Sequence, residues 1–377
     1  MLNRNDVIRL ISDLFRTELA RRQPEALAVF DNTISDLWQR IPSDIKQAAS
    51  QKAAVLFGYD SRIFSSFALM VDYAYASFLK NRHLTFFTAG TTAQPRPCLH
   101  TAAMLREEAR GVSHLFQGIK RIVSLVPSTH WYGFTFTMML PHILEVPVIT
   151  RPALPAQSWN NLLQEGDLLV SVPLFWNYWL RCDNQFPRGV HVLSSTAPCK
   201  DETITGLKIC GAARFTEIYG SGPTGAIAWR THAGMPFEVF QFWDINLRNK
   251  TPLIRRKSGG NWLTLPDMVS MENDRAFYPI TRQDTCVPVA GINVYPKQVE
   301  QIISSHPAVK ACRVRMMRPE EGGRLKAFIV FNDGYTQQHL GILRTFLARR
   351  LSLQEMPRAF TFGEKLPVSA TEQDYDW

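Results

Sequence analysis

The sequence predicts an α/β protein: a large N-terminal α/β domain of layered sheets and helices, followed by a small mobile α+β C-terminal domain. Three observations predict this. The 377 residues are about two and a half times a ~150-residue domain, which suits one large and one small unit. Short apolar runs at Ile122–Val126, Val146–Ile149, Leu168–Val172 and Val190–Leu193 recur between helical or polar segments, the rhythm of strands layered with helices. After about residue 282 the pattern changes to a compact mixture of short helices and alternating strands, placing the units at 1–281 and 282–377.

Taken in order, residues 1–80 read as helical, with an apolar stripe at Val7, Ile8, Ile11, Leu14 and Phe15 that charge interrupts, unlike a signal peptide. The block Phe64–Leu79 predicts a buried helix, and nothing in this region carries recognisable chemistry. Leu84–Thr88 reads as a strand, Ala89–Ala93 as a small-residue loop, and a helix starts near Thr101. Phe134–Ile149 is the most apolar stretch, but Pro141, His142, Glu145 and Pro147 make it too short and too polar to span a bilayer, so a cytoplasmic location is expected. Asn249–Gly260 is basic and contains Gly and Ser, which predicts a surface loop. In the last unit Val299–Ile303 and Leu340–Leu351 read as helices, and Val309–Met316 and Ala327–Phe331 as strands.

Hydrophobic residues at 45% and charged residues at 20% are close to globular averages and exclude long disorder. The net charge of +9 suits an anionic partner such as a nucleotide, coenzyme A or an acidic carrier protein, and equally a solvated basic surface. Basic residues are scattered, as in Arg255–Lys257 and Arg349–Arg350, without the interleaved aromatics of a nucleic-acid groove, so no nucleic acid is expected. The cysteines Cys98, Cys182, Cys199, Cys210, Cys286 and Cys312 form no C-x-x-C pair and no zinc spacing, and read as reduced packing thiols.

The loop Phe87-Thr88-Ala89-Gly90-Thr91-Thr92-Ala93-Gln94-Pro95-Arg96 presents small residues, hydroxyls and backbone N–H groups with a cation at its end, which suits a phosphate. Alone, such a stretch is more often only a turn. Six further segments follow in order: Pro127-Ser128-Thr129-His130-Trp131-Tyr132-Gly133, Ser194-Ser195-Thr196-Ala197-Pro198, Tyr219-Gly220-Ser221-Gly222-Pro223-Thr224-Gly225, Trp262-Leu263-Thr264-Leu265-Pro266-Asp267, Thr281-Arg282-Gln283-Asp284, and Gly291 to Glu300 with His306-Pro307-Ala308-Val309. Together they resemble the adenylate-forming superfamily of acyl- and aryl-CoA synthetases, adenylation domains and luciferases. The first segment is similar to its [YF]-[TS]-S-G-T-T-G-x-P-K loop and the others to its P-x-x-H-x-x-G, S-G-G-A-P, Y-G-S-T-E-T-G, W-x-x-T-G-D, G-R-x-D and G-x-x-V-x-P-x-x-V-E motifs. The N-terminal part is shorter than is usual there, as in compact aryl-acid ligases.

The resemblance implies roles residue by residue. Thr88, Gly90, Thr91, Thr92 and Arg96 would hold phosphates, with Arg96 and His130 acting in catalysis. Thr196, Ala197, Tyr219, Gly220, Ser221 and Thr224 would line the nucleotide, and Asp267 and Arg282 would reach the ribose, a carboxylate suiting two hydroxyls. His130, Trp131 and Gly133 would border the acid, Asp284 would be the hinge, and Gly291 would line the thiol's path. Read without the resemblance, His130 has a second reading as a packed core histidine, Tyr219 as a core aromatic, Asp267 as a helix cap or turn residue and Asp284 as a turn residue. Trp131, Phe134, Trp176 and Trp179 lean toward a flat aryl acid or form an aromatic core.

The implied activity is ATP-dependent activation of an aryl or fatty carboxylic acid as acyl-adenylate, with transfer to coenzyme A or the phosphopantetheine thiol of an acyl carrier protein. Departures cluster on phosphate and metal handling. Arg96 stands where Lys is usual, Gly222 replaces a hydroxyl residue, Pro223 replaces the Glu that holds Mg²⁺, and Gln373 replaces the adenylation Lys. Those replacements carry a second reading: a catalytically impaired relative that binds a nucleotide, thioester or carrier protein.

Overall fold

The computed structural model describes residues 2–22, 34–88, 96–151, 159, 162–182, 184–247, 252–265, 267–282, 287–289, 292–294, 296–318 and 321–367. The chain divides into two compact units, 1–88 with 97–283, and 89–96 with 284–377.

The first unit opens with α1 (Arg4–Arg22), α2 (Ile34–Leu37), α3 (Ser43–Phe57) and α4 (Phe67–Asn81). Their interface is aromatic, Phe15 lying edge-on to Trp38 and Phe67 at centroid distances of 5.5 and 6.3 Å. The predicted buried helix at 64–79 is α4, but only its Phe67, Met70, Val71, Ala74 and Phe78 face is buried. Leu69, Tyr73 and Leu79 are exposed, because a surface helix buries one stripe and the block's continuous apolarity hid that stripe.

β1 (His83–Thr88) and β2 (Arg96–Thr101) pair as a small ribbon, and α5 (Ala102–Ser113) starts where the Thr101 side chain accepts from Met104 N. Next come β3 (Arg121–Ser124), α6 (Trp131–Phe134), a π turn at Thr135–Met139, α7 (Leu140–Leu144), β4 (Val148–Thr150) and β5 (Asp167–Ser171). They are followed by α8 (Pro173–Arg181), β6 (His191–Ser194), α9 (Asp201–Ile209), β7 (Arg214–Ser221), β8 (Gly225–Arg230) and β9 (Phe237–Val239). The unit ends with β10 (Trp243–Asn246), β11 (Leu253–Arg256), β12 (Leu263–Thr264), β13 (Asp267–Asn273) and β14 (Ala276–Arg282).

Among the described residues, nine strands pair in the order β13-β14-β9-β8-β7-β6-β5-β3-β4, and neighbours from β4 to β7 are parallel. Every residue of β5 and β6 is buried. Strands covered on both faces favour apolar residues on both, which is why Leu168–Val170 and Val192–Leu193 read as continuous runs rather than alternations. Side chains on alternating faces feed two cores. Leu168, Val170 and Leu193 join Phe86, Trp131 and Phe134 in one. Leu169 and Val192 join Trp159, Phe175, Trp176, Trp179 and Phe186 in the other. Trp176 and Trp179 are therefore packed apart from Trp131 and Phe134, and the aromatic residues of the sequence do not form one pocket wall.

The expected surface loop at 249–260 is corrected by β11, whose Ile254 and Arg256 face inward. The two-residue period of a strand puts Arg256 on the same side as Ile254. Of the six cysteines, Cys98, Cys182, Cys199, Cys210 and Cys312 form no disulfide with one another, and Cys286 lies outside the described residues. Burial pushes the Cys199 and Cys312 thiols up, so both stay protonated packing groups.

The second unit contains the ribbon β15 (Val287–Val289) and β16 (Ile292–Val294), then α10 (Pro296–Ser304), β17 (Val309–Met316), β18 (Leu325–Phe331), α11 (Gln337–Ala348) and β19 (Ala359–Phe362). Strand order is β17-β18-β19, and Val299, Ile303, Leu343 and Leu347 of its helices pack on Ile329 and Phe331. No described helix of the chain is long and apolar enough to cross a membrane.

Candidate active site

Parallel strands deliver their outgoing loops to one end of a sheet, where ligands of open α/β folds bind. The loops after β3, β6 and β7 hold His130 and Trp131, Thr196 and Ala197, and Ser221 to Thr224, so the structure brings three separate sequence segments to one sheet end.

The segment at 127–133 is shaped by backbone contact. A Cβ on Gly133 would stand 1.9 Å from the Pro127 carbonyl oxygen, so only glycine lets the helix start this close to the loop that precedes it. Trp131 is buried, and a Cβ on Gly220 would stand 3.0 Å from its ring tip. The segment at 127–133 thus lies directly on the segment at 219–225. Tyr132 Oη donates to the Ser171 and Leu193 carbonyls at 2.9 and 3.1 Å, pinning the helix under the ends of β5 and β6. His130 Nδ1 accepts from Tyr132 N at 3.3 Å and caps that helix. Burial pushes its pKa down to about 4, so His130 is a neutral imidazole at pH 7, with Nε2–H as its donor.

On β6 and its loop, Ser195 Oγ donates to Ile218 O at 2.9 Å. Glu217 on β7 accepts from Cys199 N at 2.7 Å and from Arg230 Nε at 2.8 Å, while Arg230 also donates to Cys199 O at 2.9 Å. Burial raises the Glu217 pKa and Arg230 opposes it. Thr196 adopts φ 76°, and its buried Oγ1 has no hydrogen-bond partner. A β-branched residue in the left-handed region is strained by about 1–3 kcal/mol.

Tyr219 is half-buried, its ring edge-on to Phe277 at 5.1 Å and tilted to Phe237 at 5.7 Å, beside a β-bulge between Tyr219 and Gly220. The following turn is braced internally. Thr224 Oγ1 accepts from Ser221 N at 3.2 Å and donates to Gly225 O at 3.0 Å, and His100 Nε2 donates to Gly222 O at 2.7 Å. Beneath it, Arg256 Nη2 donates to Thr224 O at 2.9 Å and to Glu108 Oε2 at 2.6 Å, and Thr135 Oγ1 donates to Glu108 Oε1 at 2.9 Å. Arg256 is also within 4.7 Å of the Phe242 and 4.4 Å of the Trp243 ring centroids. The turn's shape is set by a buried ion pair that also reaches Thr135, just past the end of α6.

Asp267 and Arg282 are opposite one another across β13 and β14, so two segments fifteen residues apart converge by strand register. The backbones of Thr88 and Arg96 belong to β1 and β2. Gly90, Thr91, Thr92, Asp284, Gly291 and Gln373 lie outside the described residues.

Sequence reasoning missed Glu108, Arg256, His100 and Glu217. Glu108 had a signal: with Leu105, Ala109 and Val112 it completes the i, i+3, i+4, i+7 stripe of α5, so a carboxylate stands on the apolar face. Arg256 had one too, two residues from Ile254 in a strand. His100 and Glu217 meet their partners across long sequence separations, and no local pattern marks them.

The AMP-binding enzyme family model matches residues 79–250. A 4-coumarate–CoA ligase of Cereibacter sphaeroides is 31% identical over 313 residues, covering 82% of this chain and 74% of that protein. The chain belongs to the AMP-binding, adenylate-forming enzyme family. A 4-coumarate–CoA ligase of Rhodobacter capsulatus is 28% identical over 85% of this chain and 81% of that one. Among solved structures, the amide bond synthetase McbA of Marinactinospora thermotolerans superposes with a TM-score of 0.66 at 16% identity, over 95% of this chain and 81% of that chain. That likeness shows the fold: mixed α/β with helices layered on a large sheet.

The family motif has a metal-binding glutamate where this chain has the exposed Pro223. The carboxylate packed nearest the turn, Glu108, is buried and neutralised by Arg256 at 2.6 Å. Among the described residues no group of three or more His, Cys, Asp or Glu is arranged for a metal ion. The described residues of this AMP-binding family member therefore do not fit Mg²⁺ at this turn.

Proposed function

We propose that this chain is an acid–thiol ligase: it activates a carboxylic acid, an aryl acid first among candidates, with ATP and passes the acyl group to a thiol. The observation that carries the reading is the contact of Trp131 with Gly220, which sets the acid-side segment against the nucleotide-side segment. The relatives' identities as 4-coumarate–CoA ligases support the aryl choice and coenzyme A as acceptor. A phosphopantetheine carrier is the second acceptor to test.

In this reading the acid's carboxylate attacks the α-phosphorus of ATP, a P–O bond breaks and pyrophosphate leaves. The thiol then attacks the acyl carbon of the mixed anhydride and AMP leaves. The protein positions the reactants and stabilises charge. Neutral His130 offers Nε2–H to the acid and Trp131 walls it. Tyr219 and the backbone at Thr196, Ala197, Gly220 and Ser221 line the nucleoside, and Asp267 and Arg282 meet the ribose. Thr88, Gly90, Thr91, Thr92 and Arg96 take the phosphates. Thr224 serves by bracing the turn, since its hydroxyl is used inside it. The division at 281/282, the hinge at Asp284, the thiol path by Gly291 and a cytoplasmic location belong to the same proposal.

The test is pyrophosphate release across a panel of aryl and fatty acids, with calorimetric titration of ATP and AMP in parallel. Acid-dependent release that falls at least tenfold in Arg96→Ala is the expected result. Nucleotide binding with no release for any acid would leave the impaired-relative reading instead.

A further inference from the structure

The N-terminal helix carries a pair of charged side chains that reach out of its own layer. Asp13 is only 4% exposed, and its Oδ2 accepts from Ser128 N at 3.0 Å and Ser128 Oγ at 2.6 Å. One turn earlier, the Arg9 guanidinium donates to the Thr137 carbonyl and, at 2.8 Å, to Thr137 Oγ1. Both targets belong to the segment that starts at Pro127 and runs through His130 and Trp131 into the π turn.

The two contacts answer specific needs of that segment. In a regular helix the Thr137 carbonyl would accept from the N–H four residues on, but that residue is Pro141, which has none. Arg9 supplies the missing donor, and the π geometry at Thr135–Met139 accommodates it. Thr137 Oγ1 in turn donates to Gly133 O at 2.7 Å, so the guanidinium ends a chain that reaches the glycine touching Pro127. At the other end Ser128 is fully buried, and without the Asp13 carboxylate its N–H and hydroxyl would be left in the interior without acceptors. Asp13 is itself neighboured by Arg16 at 3.2 Å, which balances its charge.

We propose that Asp13 and Arg9 are positioning residues of the active site, holding residues 128–137 so that His130 and Trp131 meet the acid in one fixed geometry. The proposal deepens the ligase reading and rests on it, because that reading is what places the acid beside this segment. Charge-assisted hydrogen bonds into an otherwise irregular loop and helix start restrict its alternatives far more than apolar packing would.

The experiment uses the full chain with acid and ATP titrated separately. Asp13→Ala and Arg9→Met should raise KM for the acid at least tenfold and leave KM for ATP within twofold. Asp13→Asn, which keeps one acceptor for Ser128, should show a smaller shift. The control is Glu18→Gln, which breaks the pair between α1 and Lys52 of α3 and should lower Tm without moving either KM. Amide hydrogen exchange of the unliganded variants should show faster exchange at residues 128–140 and none of that change in α3 or α4. Asp13 and Arg9 variants that lose Tm as the control does, with acid KM and exchange at 128–140 unchanged, would overturn the proposal and leave the ligase reading standing. Wild-type protein without acid-dependent pyrophosphate release would overturn both.

Discussion

Thr196 and Gly225 occupy the same part of backbone space, at φ 76° and 72°, on loops that leave neighbouring strands. Their surroundings differ. A Cβ on Gly225 would stand 2.0 Å from Glu108 Oε2, inside the buried pair with Arg256, whereas the Thr196 side chain is accommodated. A positive φ alone costs an L-residue about 1–3 kcal/mol. What lies beneath the residue decides whether glycine is obligatory. The resembling family motif has glycine where Thr196 stands, and this chain carries a β-branched residue there at φ 76°.

The comparison can be broken or sharpened in order of effect. Arg256→Met leaves the Glu108 carboxylate buried without its cation, and should lower unfolding free energy by about 4 kcal/mol in urea titration. Pairing it with Glu108→Gln should restore more than half, since the orphaned charge is gone. Gly225→Ala combines the strained φ with the Glu108 clash and should cost about 3 kcal/mol. A cost below about 1 kcal/mol would mean that the buried pair moves aside, and the contrast with Thr196 would collapse.

The strands that carry the two loops give a pH test. His191 of β6 shares a 2.8 Å hydrogen bond with Thr216 of β7, and burial, helped by Arg214, pushes its pKa down to about 3. The unfolded chain, with a histidine near 6.5, takes the proton first as pH falls. Stability is therefore complete above about pH 6.5 and declines toward pH 3, by about 2 kcal/mol at pH 5 from this group alone. His130, held near 4, adds to the decline in the same direction. His191→Gln should flatten the slope between pH 7 and 5, and an unchanged slope would remove His191 as its source. The smallest effect is Thr196→Gly: strain relief set against glycine's entropy should leave stability within about 1 kcal/mol of wild type. A loss of about 3 kcal/mol would show that the Thr196 side chain is a packing group after all.

The motif segments and the residues that brace them also differ in how far they could be read from local sequence. His130, Trp131, Tyr219 and Asp267 stand in short ordered motifs, in which close backbone approaches such as those at Gly133 and Gly220 constrain several consecutive residues. The partners that hold those segments, Asp13, Arg9, Glu108 and Arg256, are single charges inside helices or strands whose periodicity marks only where they face. Asn249–Gly260 was misread because its composition is basic, although Arg256 alternates inward with Ile254.

By itself the sequence determined the strand rhythm of the large unit, the change of pattern after residue 282 and the ordered motifs, since these depend on neighbours in the chain and on backbone geometry. Only the tertiary structure decided which charges are buried, that Trp176 and Trp179 pack away from Trp131, and that α1 reaches Ser128 and Thr137. Pairing of a charge depends on groups brought together from distant parts of the chain, here 115 residues apart for Asp13 and Ser128 and 148 for Glu108 and Arg256, and local periodicity marks the face a charge takes but not the partner it meets.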